Sequence, residues 1–233
     1  MIENKFHFLE GEILLIDKPF KWTSFQVVHK VRGLIRKTIK TNIKVGHAGT
    51  LDPLATGLLI ICTGKFTKKI EQYQGMQKEY TGTFNLGATT PSFDMETVVD
   101  KIFETAHITE TLIQEVVRSF IGKSMQIAPA FSAKKINGER AYEKARRGED
   151  VAIQPREVEI NKFIITGIKM PEVSFRVQCS KGTYVRSIAN DFGIRLNSGA
   201  YLSSLSRTAI GEYNLKDAMT LEAFEQLMSA EEV

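Results

Sequence analysis

The chain has 233 residues, 42% hydrophobic and 25% charged, a length and balance that can bury a large core and that exclude a low-complexity or disordered chain. No stretch nears the roughly 20 apolar residues of a membrane span, and the opening MIENKFHFLEGEILLIDKP lacks a signal-peptide apolar run, so the expectation is a cytoplasmic protein. The formal charge of +4 hides an asymmetry: residues 212–233 carry six acids against the single Lys216, a net −5, which leaves +9 on residues 1–211. A basic body points to a polyanionic partner, nucleic acid first, with a merely basic soluble surface as the plain alternative.

In chain order, EILLID (12–17) reads as a buried strand. TSFQVVHKVRGLI (23–35) reads as a helix, with Thr23 and Gln26 as a capping box and Val27, Val31, Leu34 and Ile35 as its apolar stripe. GLLIIC (57–62) is a short continuous apolar run, hence a buried strand. YTGTFNLG (80–87) alternates, with Tyr80, Gly82, Phe84 and Leu86 on one side. TLIQEVVRSFI (111–121) is the clearest helix, and a strand is expected near 157. VSFRVQC (173–179) alternates strictly, TYVRSIANDFGIRL (183–196) is helical, and a short strand or hairpin near 207–215 precedes a last helix capped by Thr220. Cys62 and Cys179 each lie in an apolar run and read as buried free thiols, supporting neither a disulfide framework nor a metal site. Half-solvated alternation in several strands favours an α+β fold with a mixed, largely antiparallel sheet flanked by helices.

The least regular part lies at about 124–156. QIAPAFSAKKINGERAYEKARRGEDV sets Lys134, Lys135, Arg140, Lys144, Arg146 and Arg147 among Phe131 and Tyr142, with a short helix expected around 139–147. The pattern suits an exposed basic insertion whose cations meet phosphates and whose aromatics stack on bases. The plain alternative is a solvated helix, but Glu139–Glu143 and Arg140–Lys144 would then be like-charge i,i+4 pairs, mildly destabilising.

One stretch carries the sharpest chemical signal. GHAGTLDPLATG (46–57) ends a run in which residues 18–51 hold eight Lys/Arg and no acid, and Asp52 is the carboxylate that follows. Pro53 pushes Asp52 toward an extended backbone, and Gly46, Gly49 and Gly57 permit tight turns and close approach by a ligand. Basic neighbours favour the ionised form of Asp52, which suits a nucleophile; an Asx-turn aspartate capping its own loop is the structural alternative.

The string GHAGTLDPLATGLLIICTGKFTK resembles the signature GHTGTLDPLATG of the TruB family of tRNA pseudouridine-55 synthases. LLIDKPFKWTS (14–24) is similar to that family's LLxDKPxGxTS, KEYTGTFNLGATTPSFD (78–94) to KxYxxxxxLGxxTxTxD, QIAPAFSAKKINGERAYEKARRG (126–148) to QxPPxYSAxKxxGxRAYxxAR, and CSKGTYVRSIANDFG (179–193) to CSxGTYxRxxxxDLG. The blocks follow family order from about 12 to 210. The resemblance implies a pseudouridine synthase fold in one catalytic domain over 1–233, and isomerisation of uridine 55 in the T loop of tRNA after base flipping. It also implies roles. Asp52 matches the catalytic aspartate, Tyr80 the tyrosine against the target uracil, Arg186 the arginine paired with the aspartate, and Tyr184 the active-site tyrosine two residues earlier. His47 matches the histidine that enters the space of the flipped base, Lys18 and Pro19 a pair near the site, and Leu205 an apolar pocket residue. Lys134, Lys135, Arg140 and Arg146 of the basic insertion are the expected RNA contacts.

Three departures stand out. Ala48 replaces the usual threonine, and Phe131 in APAF replaces the tyrosine of PPxY. Many relatives also carry a C-terminal RNA-binding domain, called PUA, for which the chain ending at Val233 leaves no room. Breaking the N1–C1′ bond, turning the base and rejoining it through C5 gains no atom and changes no oxidation state, so no cofactor or metal is expected. Asp52 can attack C6 of the uracil or engage C1′ of the ribose; the sequence leaves both open. The partner expected is the T-arm stem-loop of tRNA, bound by a monomer. Two other classes stay in view: a non-catalytic RNA-binding or tRNA-folding module, and an N-glycoside hydrolase, which usually employs two carboxylates, Asp94 being a candidate second, or one plus an activated water.

Overall fold

A computed structural model of the chain describes residues 6–132, 135–136, 138–149 and 153–230. The chain divides into two compact units, 1–80 with 206–233, and 81–205.

The first unit opens with β1 (Ile13–Lys18), α1 (Ser24–Ile39), β2 (Val45–His47) and β3 (Thr56–Thr63). α1 starts where the capping box was expected: Gln26 N donates to Thr23 Oγ1 at 3.1 Å and Thr23 N to Gln26 Oε1 at 2.7 Å. Satisfying two end donors in this way stabilises a helix by about 1 kcal/mol. β1 and β2 both pair antiparallel with β3, Lys18 lying opposite Gly57 and His47 opposite Ile61. The apolar run of β3 has a clear reason. Leu59 and Ile61 pack with Val28 and Ile35 of α1, whereas Leu58, Ile60 and Cys62 join Ala48, Tyr73 and Ile210 in a second cluster. A 3-10 turn (Gly64–Lys69) and α2 (Ile70–Gly75) lead into β4 (Lys78–Leu86), whose first residues close this stretch.

The second unit takes the rest of β4, then β5 (Ala88–Thr89), β6 (Lys101–Ile102), α3 (Glu110–Arg118) and β7 (Gly122–Gln126). It continues through β8 (Lys135–Ile136), β9 (Glu139–Arg140), α4 (Ala141–Arg146), β10 (Arg156–Lys169), β11 (Glu172–Cys179), α5 (Val185–Arg195) and the start of β12 (Ala200–Ile210). Strands run in the order β12-β4-β11-β10-β7, with β10 antiparallel to both neighbours. Rings fill the core: Phe84 stacks on Phe175 at 4.1 Å, with Phe163 and Phe192 packed against both. Each such buried ring contributes about 2–3 kcal/mol.

The chain then re-enters the first unit. There β12 runs parallel to β3, Arg207 opposite Gly57, and turns through β13 (Tyr213–Asn214) and a 3-10 turn (Leu215–Asp217) into α6 (Leu221–Ala230). Thr220 caps α6 as expected, accepting from Ala223 N at 3.1 Å, and Leu221, Phe224 and Met228 press it onto the α1 face. The architecture is the expected α+β one: antiparallel pairs with the β3–β12 pair parallel.

Two strands differ from the sequence expectation. β7 lies where irregular chain was expected from 124, because GKSMQ shows no apolar alternation and buries only Gln126. β12 begins at Ala200 rather than near 207, its alternation blurred by Ser203, Ser204 and Ser206. The insertion is therefore gated by paired strands, Gln126 standing opposite Arg156 at its neck.

Candidate active site

In the first unit, Asp52 sits half-buried just ahead of a turn closed by Ala55 N donating to Asp52 O at 3.1 Å. The segment 17–24 grips this loop at four points. Asp17 Oδ1 accepts from Gly57 N at 3.1 Å, Lys18 Nζ donates to Pro53 O at 3.3 Å, Lys21 N donates to Pro53 O at 2.9 Å, and Ser24 Oγ accepts from Leu51 N at 2.8 Å. The two sequence motifs DKPFKWTS and GTLDPLATG thus form one structural piece.

Lys18 is fully buried, its ammonium also donating to Trp22 O at 2.6 Å and Pro19 O at 3.0 Å. Burial lowers its pKa from the ordinary 10.5 to about 8, with Asp52 opposing the shift and Arg207 adding to it. The resemblance placed Lys18 near the active site. Enclosed by three carbonyls, it ties the Asp52 loop to the 17–24 segment. Pro19, half-buried beside it, supplies one of those carbonyls.

His47, at the end of β2, is half-buried and its Nδ1 lies buried without a hydrogen-bond partner. Burial first, then the nearby Arg207 charge, depress its pKa below 6.5, against a contribution from the Gly49 backbone. Burial and the Arg207 charge thus both favour the neutral imidazole. Ala48 is fully buried in the apolar cluster around Leu58 and Ile60, so its missing hydroxyl would have lain in the core. Tyr80 is buried on β4.

Sequence reasoning missed Arg207. Its guanidinium is 1% exposed and joins both flanks of the Asp52 loop, Nε donating to Leu58 O at 2.8 Å and Nη2 to Gly49 O at 3.1 Å. Gly57 makes the approach possible: its φ is +100°, and a Cβ there would stand 2.5 Å from Arg207 O. The available signal was position, two residues beyond Leu205, but a linear sequence does not separate a buried arginine from a surface one.

In the second unit, Tyr184 is the residue before α5, and Gln126 latches it twice: Tyr184 N donates to Gln126 Oε1 at 2.8 Å and Gln126 Nε2 to Tyr184 O at 3.1 Å. The Arg156 guanidinium lies 4.4 Å from the Tyr184 ring centre, a cation–π contact. Arg186, in the first turn of α5, is 3% exposed and donates to Phe131 O at 2.9 Å and Ser92 O at 3.3 Å, with Asp94 Oδ2 3.6 Å away. The tyrosine-to-phenylalanine departure leaves that bond intact, since it uses the main chain. Asp94 is itself 5% exposed and accepts from Glu96 N at 2.9 Å, so it anchors a turn and Arg186 rather than standing as a second presented acid. Leu205 is half-buried on β12.

Of the basic insertion, Lys134 lies outside the described residues, and Lys135 pairs with Arg140 in backbone register across the β8–β9 hairpin. The helix spans 141–146 instead of 139–147, so Glu139 and Arg140 precede it and the expected like-charge helical pairs do not form. Glu139 faces Lys144 at 3.9 Å and Arg147 at 2.6 Å. Arg146 pairs with Glu96 at 2.6 Å and lies 5.3 Å from the Tyr142 ring centre. Such exposed pairs are individually weak and screened by salt, so phosphates can displace them at little cost. Among the described residues no helix is long and apolar enough to cross a membrane, and no cluster of three or more His, Cys, Asp or Glu could hold a metal.

The fold has counterparts among solved structures. One chain of a Cbf5–Nop10–Gar1 complex superposes with a TM-score of 0.69 at 27% identity over 94% of this chain and 55% of its own length. A chain of an H/ACA RNP bound to a substrate RNA containing 2′-deoxyuridine gives 0.68 at 25% identity, over 94% and 54%. The chain therefore spans just over half of those longer chains and shares the pseudouridine synthase fold with them. Residues 36–185 match the profile of the TruB family pseudouridylate synthase N-terminal domain. Full-length similarity extends to the tRNA pseudouridine synthase B of Flavobacterium johnsoniae, 56% identical over 221 residues (94% of this chain, 96% of that one), and of Phocaeicola vulgatus, 51% identical over 228 residues (97% of each). The chain belongs to the TruB family of pseudouridylate synthases, isomerases that convert uridine to pseudouridine.

Proposed function

We propose that this protein isomerises uridine 55 in the T loop of tRNA, with Asp52 as the essential carboxylate. The observation that carries the reading is the Asp52 loop itself. A half-buried aspartate sits on a loop whose main chain is held by Lys18 at Pro53, Ser24 at Leu51 and Arg207 at Gly49, in a segment otherwise rich in cations. That arrangement suits a group that must meet one atom of a polyanionic substrate at fixed geometry. The target base leaves its stack at a cost of a few kcal/mol, least within a loop. A neutral His47 can fill an apolar, stacked space that an imidazolium would enter less readily. Tyr80 is the side chain to lie against the extruded uracil, and Leu205 is the apolar pocket residue that the resemblance implies. In its own unit Arg186 organises α5 and the 90–97 turn, and it takes the part of the family's active-site arginine. Lys135, Arg140 and Arg146, with Lys134, grip the T-arm backbone. The isomerisation balances atoms and electrons without a cofactor or metal, and the reaction belongs to a cytoplasmic monomer acting through this one catalytic domain.

The test is incubation with a T-arm stem-loop tritiated at C5 of uridine, without added metal or cofactor. Tritium release should accompany pseudouridine in the digested RNA and disappear in Asp52→Asn, whose RNA affinity stays near that of the parent. Release that persists in Asp52→Asn overturns the role of the carboxylate. Free uracil among the products would make the protein a hydrolase.

A further inference from the structure

The protein buries or half-buries nearly all of its rings, with one local exception. Among the described residues, every exposed Phe, Trp or Tyr side chain lies within six positions: Phe20 at 54%, Trp22 at 36% and Phe25 at 65% exposure. None of them is a member of either large apolar cluster of this unit. Exposing three rings in water is unfavourable by about 25 cal/mol per Å², and the turn that does so is held in place rather than loose. Lys21 adopts a left-handed φ of 66° and is bonded to Pro53 O, Trp22 O accepts from the buried Lys18, and Ser24 is locked to Leu51. The rings therefore stand on the same rigid piece that carries Asp52.

Their electrostatic setting identifies the occupant. Lys21 lies 5.8 Å from the Phe20 ring centre, no acid occurs between residues 18 and 51, and the first turn of α1 carries none. A hydrophobic protein partner would not require that charge, whereas an unpaired nucleotide offers a flat π face for the rings and a phosphate for the cations. We infer that Phe20, Trp22 and Phe25 form a stacking platform for an unpaired base of the RNA substrate beside the nucleotide delivered to Asp52. The inference rests on the proposed RNA-modifying function and adds a contact that the resemblance did not assign.

Trp22 is the single tryptophan of the chain, so intrinsic fluorescence reads this platform directly. A T-arm stem-loop titrated into the intact protein should quench the emission along the binding curve. Phe20→Ala and Phe25→Ala should each weaken binding on the order of tenfold, with an unchanged slope of affinity against salt, since stacking releases no counterions. Phe25→Tyr should bind like the parent, while Phe25→Leu, apolar but unable to stack, should behave like Phe25→Ala. All three rings are exposed, so the melting temperature should not move. Absent quenching with parental affinity in the alanine variants overturns the platform while leaving tritium release, and hence the enzymatic reading, intact. Loss of tritium release by the parent on both stem-loop and whole tRNA would defeat the enzymatic reading, and quenching would still decide the platform. Variants that alter sedimentation instead of RNA affinity would assign the rings to self-association and overturn the proposal.

Discussion

Replacing Lys18 with methionine separates a buried charge from the bonds it makes. In the unfolded chain this lysine keeps its proton up to about pH 10.5, whereas in the fold it releases it at about 8. Between those values the unfolded state binds the extra proton, so stability rises with pH; below 8 both states are protonated and the cost of the buried charge is constant. At 1.36 kcal/mol per pH unit the interval is worth about 3 kcal/mol at most. Methionine removes that cost but leaves the carbonyls of Pro19, Trp22 and Pro53 short of a donor, a loss of about 1–3 kcal/mol, with Pro53 keeping the Lys21 N–H. At pH 7 the two effects nearly offset, and urea midpoints of parent and Lys18→Met should lie close together. From pH 8 to 10 the parent alone gains, so the gap should open in its favour by about 2 kcal/mol or more. Turnover should fall on the order of a hundredfold throughout, because the Asp52 loop loses a support and catalysis tolerates little displacement. A stability gap flat from pH 7 to 10 would refute the idea that the Lys18 charge is buried in the fold.

The same reasoning gives two further expectations. Arg207→Met should destabilise the protein by about 2–4 kcal/mol, since Gly49 O and Leu58 O lose a charged donor, and should lower kcat more than it raises KM; Arg207→Lys, able to reach one carbonyl, should recover part of kcat. Equal loss of kcat in both variants with unchanged melting would count against a positioning role. Gln126→Ala should cost about 1–3 kcal/mol by freeing the Tyr184 backbone, and Gln126→Glu, keeping the acceptor for Tyr184 N but losing the donor to Tyr184 O, should fall between it and the parent. Unfolding curves of the two variants that coincide would remove the two-sided latch.

The parts legible in the sequence were those that local chemistry decides. The Thr23–Gln26 capping box, the buried run of β3 and the alternation of β11 each depend on neighbours a few residues apart, and each appears where it was expected. What stayed hidden depends on partners far along the chain. Arg207 binds carbonyls more than 140 residues earlier, Gln126 meets Tyr184 across 58, and Lys18 reaches Pro53 across 35. An isolated sequence does not separate such buried cations from surface charge. β7 escaped for a related reason: its residues show no apolar alternation, and β10 supplies the pairing that makes them a strand.

The carboxylates give the last constraint on mechanism. An inverting or retaining hydrolase needs two acids with opposed tasks, one to protonate the leaving group and one to attack or activate water. Asp94, the natural second candidate, is occupied: one oxygen accepts the Glu96 N–H, the other faces the Arg186 guanidinium, and the side chain is buried. Asp17, the other acid near the loop in sequence, is engaged on Gly57 N. Both serve as fixed anchors, whereas the loop of Asp52 is positioned through its main chain by Lys18, Ser24 and Arg207. In the proposed reaction a single carboxylate, Asp52, detaches the base and holds the ribose or the ring while the base turns, and the uracil is rejoined through C5. The same arrangement explains the long acid-free run ahead of Asp52. Any further carboxylate there would repel the phosphates that must come within a few ångströms of the loop, and would weaken the grip of the cations that draw them in.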